Sequence, residues 1–139
     1  MKLDHPVVPL VGRLLLTHIF LTSGIAKVVA WGNNIAYMNT RHLPMVPILL
    51  GIATIIELAG SVCIVVGSHA RIASFVMFLY TAAVTVVFHN YWSVTGQLAG
   101  IQETHFRKNL AIMGGLLMVA YCGPGPWSIG RTDRITVTR

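Results

Sequence analysis

Six residues have side chains able to do chemistry in stretches that are otherwise apolar: Arg13, Lys27, Glu57, His89, Lys108 and Asn109. Glu57 interrupts an apolar run, 45–67, that holds no other charge. An ionisable group inside such a run is costly enough to count as a functional hypothesis by default. A carboxylate kept from water needs a cation or several hydrogen-bond donors. Glu57 lies ten residues before the run ends at Gly67, roughly 15 Å deep at the rise of an α-helix. Arg13 lies roughly 9 Å into the preceding run from the same side, and Lys27 about 21 Å beyond Arg13. A buried Arg13–Glu57 pair is therefore expected, with Lys27 the poorer partner.

The remaining four residues converge elsewhere. Lys27, His89, Lys108 and Asn109 come from three runs but fall at similar depth, at the far end from Arg13. All donate hydrogen bonds, a chemistry suited to a carbonyl or an anionic group held between helices. The plainer alternatives are snorkelling of Lys27 and Lys108, with His89 capping a helix, and a Glu57 that only pins helix to helix. Other chemistries are poorly served. His18 near mid-run and His89 near a run's end do not match in depth as a bis-histidine haem requires. No metal site, catalytic triad or phosphate loop is expected. Cys63 and Cys122 form no C-x-x-C motif and fall toward one side. They are expected to be reduced packing residues, not an exchangeable thiol pair.

Positioning these groups takes helices that cross a bilayer. The chain has 139 residues, 55% hydrophobic and 10% charged, against about 25% charged in a soluble domain. The net charge of +6 comes from basic residues scattered singly between apolar runs, with no stripe to follow phosphates, which excludes nucleic acid as a partner. Disorder, a disulfide scaffold and an ordinary soluble enzyme are excluded by the same composition. Four runs, 7–30, 45–67, 72–89 and 107–123, approach the roughly 20 residues that span hydrocarbon. They are continuous, not alternating, so helices are expected and a β-barrel is not.

The expected fold is all-α: one domain, 1–139, built as a transmembrane four-helix bundle embedded in lipid, with a basic tail at 124–139. Trp31-Gly32-Asn33-Asn34 reads as a turn, Pro44 and Pro47 as a helix start. Gly67–Arg71 reads as a tight hairpin, 90–105 as an interfacial segment, and Gly123-Pro124-Gly125-Pro126 as a stop. Arg13 breaks the first run too early for a secretory leader. Arg13, Thr17, Phe20, Gly24 and Lys27 share one face of the first helix, which should look inward. Lys2, Arg13, Arg71, Arg131, Arg134 and Arg139 fall on one side of the membrane, against Lys27, Arg41, Arg107 and Lys108 on the other. That bias places both termini in the cytoplasm.

One ordered set of residues carries a family resemblance. It runs Gly12-Arg13-Leu14-Leu15, Phe20, Ser23-Gly24, Lys27, Tyr37-Met38, Pro44, Glu57-Leu58-Ala59-Gly60, Gly67, Arg71, Phe88-His89, Phe106-Arg107-Lys108-Asn109-Leu110, Gly114-Gly115 and Gly123-Pro124-Gly125. Over nearly the whole chain this resembles the DoxX family of small four-helix bacterial inner-membrane proteins. Some members look like subunits of thiosulfate:quinone oxidoreductase, and others are associated with membrane redox or thiol-stress complexes. The resemblance implies a multi-pass inner-membrane subunit or accessory of a quinone-linked oxidoreductase complex, with a redox protein as partner.

No covalent cofactor is implied; quinone is the implied ligand. His89, Lys108 and Asn109 would hydrogen-bond its carbonyl, and Glu57, held by Arg13, would tune or relay protons. The chain carries no evident electron carrier, so it is not expected to be an enzyme alone. Two competing expectations are a structural or assembly subunit without a ligand, and a small proton-coupled transporter that uses Glu57 and acts as an oligomer.

Overall fold

The computed structural model describes residues 5–130, which form helices and connecting turns with no strand among them. Lys2 and the tail residues Arg131, Arg134 and Arg139, four of the six cations behind the expected orientation, lie outside the described residues. There are five helices where four were expected: α1 (Val7–Val29), α2 (Trp31–Asn39), α3 (Val46–Val66), α4 (Ala70–Phe88) and α5 (Gln97–Cys122). Three segments are long and apolar enough to cross a membrane: α1, α3, and α4 with the 3-10 turn at Tyr91–Ser93 that follows it.

The extra helix stands where the turn at Trp31–Asn34 was expected. Ala30 leaves the helical region, at φ −111° and ψ 43°, and ends α1. Asn34 then donates both its backbone N–H (3.0 Å) and its side-chain Nδ2 (2.9 Å) to the Ala30 carbonyl. The bond that would otherwise close a turn thereby starts α2. The second departure is α5, which begins at Gln97 instead of 107. Its first turns carry the polar Gln102, Glu103 and Arg107, with Arg107 donating to Glu103 one turn away at 2.6 Å.

The α3–α4 connection agrees with the expected hairpin. Gly67 takes the left-handed conformation (φ +77°), and its N–H and that of Ser68 both donate to the Cys63 carbonyl. This satisfies the Cys63 carbonyl in the manner of a glycine C-cap. Pro47 in the first turn of α3 lacks the N–H that the turn cannot use.

Neighbours pack in the order α1 on α3, α3 on α4, and α4 on α5, while α1 touches α5 only lightly. Phe20, Ile64, Met77 and Leu116, one from each long helix, form the buried apolar centre. Small residues set the spacing. A Cβ on Gly60 would lie 2.6 Å from Met77 Sδ, and one on Gly24 would lie 2.7 Å from Leu58 Cδ2. At the Arg13 end of the bundle the chain after α5 folds back over α1 and α3. Ile129 donates to the Val66 carbonyl and Gly130 to that of Gly67, both at 3.1 Å.

Candidate functional site

Glu57 is buried on α3, at 4% exposure, and its partner is Lys27. Lys27 Nζ lies 2.9 Å from Glu57 Oε1 and 2.8 Å from Oε2, and donates its remaining proton to Ser23 Oγ at 2.6 Å. Ser23 and Tyr80 also donate to Glu57 Oε1, at 3.3 and 2.6 Å. The carboxylate thus receives four donors, three on Oε1 and one on Oε2. A buried carboxylate with this many charge-assisted and neutral partners is satisfied within the protein.

The expected Arg13–Glu57 pair is corrected by this geometry. Depths counted from the predicted run ends assumed that α1 and α3 begin level. Contacts set a different register: Gly24 faces Glu57 and Leu58, while Arg13 faces Gly67. Arg13 is therefore eleven residues from the Glu57 level, about 16 Å, and Lys27 only three, about 5 Å. Lysine also leans toward its helix's N-terminus, which closes that gap.

Arg13, only 2% exposed, is held by main-chain carbonyls alone. Nε donates to Pro9, Nη1 to Ile64 and Val65, and Nη2 to Pro126 and Trp127, at 2.9–3.4 Å. Five donors meet five carbonyls, of which Ile64 and Val65 belong to the last turn of α3, where a helix favours positive charge.

The expected cluster of Lys27, His89, Lys108 and Asn109 is brought together only in part. Lys27 and His89 line one cavity of about 400 Å³, with Glu57, Tyr80, Ser23, Asn34 and Tyr37 as its other polar groups. Leu49, Leu50, Ile52, Ala53, Ala83, Val84 and Val87 make its apolar wall. Asn109 is outside the lining and donates to Thr85 Oγ1 at 2.9 Å, joining α5 to α4. Lys108 is exposed and outside the lining. Lys108 and Asn109 are successive residues of one helix and point about 100° apart, so Asn109 meets α4 while Lys108 is turned away.

His89 Nδ1 meets Gln102 Oε1 at 2.8 Å, and its ring stacks on His105 with centroids 5.0 Å apart. Burial, then the nearby His89 and Lys108, hold the His105 imidazole below its ordinary value of 6.5. Arg41 lies beside Tyr37 and Phe88 of the cavity lining. It donates to the Phe88 carbonyl and Asn90 Oδ1, and lies about 6 Å from the centroids of the stacked rings of Tyr37 and Phe88.

Tyr80 and Ser23 contribute to this arrangement and were not among the expected site residues, Ser23 being named only in the family resemblance. Both had a usable signal. Glu57 lies ten residues before Gly67 and Tyr80 ten after Ala70, so a tight hairpin puts them level. Ser23 is one turn from Lys27.

Comparison with known proteins now adds to the geometry. The DoxX family matches residues 8–90, from the second residue of α1 to just past the end of α4. The chain belongs to the DoxX family. It is 32% identical over 127 residues to the inner membrane protein YphA of Escherichia coli, covering 91% of each chain. It is 30% identical over 133 residues to the inner membrane protein YqjF of the same organism, covering 94% of this chain and 95% of that one. The yeast ER-derived vesicles protein ERV29 is 27% identical over 81 residues, 58% of this chain and 26% of its own length. No solved structure matches this DoxX protein significantly. It is an integral inner-membrane protein of this family, and all the residues of the Lys27–Glu57–Tyr80 arrangement lie within the matched segment.

Proposed function

We propose that this protein is a four-span subunit of a quinone-linked membrane oxidoreductase and that its cavity receives the head group of the reduced carrier, a quinol. One observation carries the reading: where Lys27, Glu57 and Tyr80 meet in the 400 Å³ cavity, the donors are spent and acceptors remain. Lys27 has placed all three ammonium protons on Ser23 and Glu57, and Tyr80 has placed its hydroxyl proton on Glu57. What is left facing a ligand is a lone pair on Glu57 Oε2 and another on the Tyr80 oxygen. His89 adds a third acceptor, Nε2, when Nδ1 donates to Gln102. A quinone carbonyl finds no donor at that cluster; a quinol hydroxyl finds acceptors. Glu57 Oε2 accepts the hydroxyl hydrogen bond and is placed to take up its proton, with Lys27 stabilising the carboxylate until then. The volume and the apolar wall suit an aromatic head group with a few polar substituents.

In this reading α5 is the fourth crossing. Its 26 residues reach about 39 Å, with the apolar half from Leu110 in hydrocarbon and the polar half at the surface. Both termini lie in the cytoplasm, the cavity opens toward the outer leaflet, and a redox protein partner supplies the electron carrier. The protein in lipid nanodiscs tests the ligand: a short-chain quinol should bind more tightly than the matching quinone. Tyr80→Phe, which removes an acceptor and leaves the ion pair, should narrow the difference. Equal binding of the two forms, or tighter binding of the quinone, would refute the reading. Co-purification of a redox protein in mild detergent tests the complex.

A further inference from the structure

His18 lies at the middle of α1, eleven residues from Val7 and from Val29. It is exposed, and its ring makes no hydrogen bond among the described residues. Both ends of α1 are thus about 16 Å away, too far for the short imidazole to reach water by leaning. Arg13 and Lys27 on the same helix turn inward, and His18 does not. The face it occupies is continuous: Val11, Leu14, His18, Thr22, Ile25 and Val29 follow at spacings of three and four residues. All six are exposed. Thr22 returns its hydroxyl to the His18 and Ile19 carbonyls at 3.0 Å, so His18 is the one side chain on this face left with a donor and an acceptor unmatched. The face lies about a quarter-turn around α1 from Gly12, Leu15 and Ile19, which line a groove against α5.

We infer that α1 of one protomer packs against α1 of a second copy through this face, with the two His18 rings hydrogen-bonded to each other. A neutral imidazole carries one donor and one acceptor, so it is complementary to itself. All copies insert with the same orientation, and a two-fold axis along the membrane normal brings His18 to His18 at equal depth. A different partner helix would have to supply a matching polar group at that depth, whereas the second copy always has one. Two-fold pairing is also the commonest symmetry of oligomers, and polar side chains join helices where lipid offers no hydrogen bonds. The inference is independent of what the cavity binds.

Cysteine cross-linking in native membranes tests it, in a chain whose own cysteines are replaced by Cys63→Ala and Cys122→Ala. Leu14→Cys and Ile25→Cys should each give an oxidised dimer, while Ile72→Cys and Leu117→Cys, equally lipid-facing on α4 and α5, should not. Adding His18→Leu should lower the dimer yield about five-fold, the loss of one interhelical hydrogen bond. His18→Gln, which keeps a donor and an acceptor, should retain most of it. Cross-linking at the control positions as strong as on α1, no dimer from α1, or a yield unmoved by His18→Leu would each overturn the proposal.

Discussion

Lys27 and Arg13 sit fourteen residues apart on one inward face of α1, yet their surroundings differ in kind. Lys27 meets a carboxylate, a serine and the floor of a cavity. Arg13 meets five main-chain carbonyls and carries no counter-anion among the described residues. A lysine is a compact charge that a carboxylate can neutralise while one side stays open to a ligand. A guanidinium is a fixed fork whose five donors tie several chain segments into one place. The Lys27 half of this bundle therefore keeps a cavity beside its charge, and the Arg13 half is tied shut. Two intramembrane cations of equal charge serve opposite ends, and the donor count at each tells them apart.

The sharpest way to break this contrast is to remove one member of the outer pair. Glu57→Ala or Lys27→Ala alone should destabilise the protein by about 3–5 kcal/mol, because each strands a charge in a dry site. The double replacement should recover much of that loss, read as the unfolding midpoint in detergent. Arg13→Ala comes next, at about 3 kcal/mol for the bonds it makes to main-chain carbonyls, and Arg13→Lys should not restore it. The comparison is decided by combining the sites. Arg13→Ala and Glu57→Ala should be additive within about 0.5 kcal/mol, as separate networks are. Strong coupling between them would mean the two halves are one site.

Tyr80→Phe should cost only about 1 kcal/mol, one hydrogen bond to a carboxylate that keeps its others. The smallest effect concerns the outer cap. His105 has its folded value below the unfolded one, so the unfolded chain takes the proton first as pH falls. Stability contributed by neutral His105 is intact above about 6.5 and declines below it. His105→Gln should flatten that decline, followed as thermal stability between neutral and mildly acidic pH.

Much of this was legible in the residues, for identifiable reasons. The hydropathy runs located α1, α3 and α4 because lipid leaves the backbone few alternatives. Burial of Arg13, Thr17, Phe20 and Gly24 followed the helical period. The pairing failed because it rested on depth. Register between α1 and α3 is set by the close approach of Gly24 to Leu58 and of Gly67 to Arg13, tertiary contacts that counting from run ends does not contain. The expected outer cluster dispersed because Lys108 and Asn109 are neighbours on one helix: Asn109 meets Thr85 on α4, and Lys108 is exposed. The hairpin carried more than it was asked for: its symmetry would have delivered Tyr80 to Glu57.

The fork of Arg13 has a consequence for how the chain is made. Its helix leaves the ribosome before α3, which supplies two of its carbonyl partners, and well before residues 126 and 127, which supply two more. Until those are made the guanidinium has no complete shell. Burial of Arg13 is therefore finished only when the segment after α5 folds back, and a chain cut short of Pro126 keeps α1 with two of its five carbonyl partners missing.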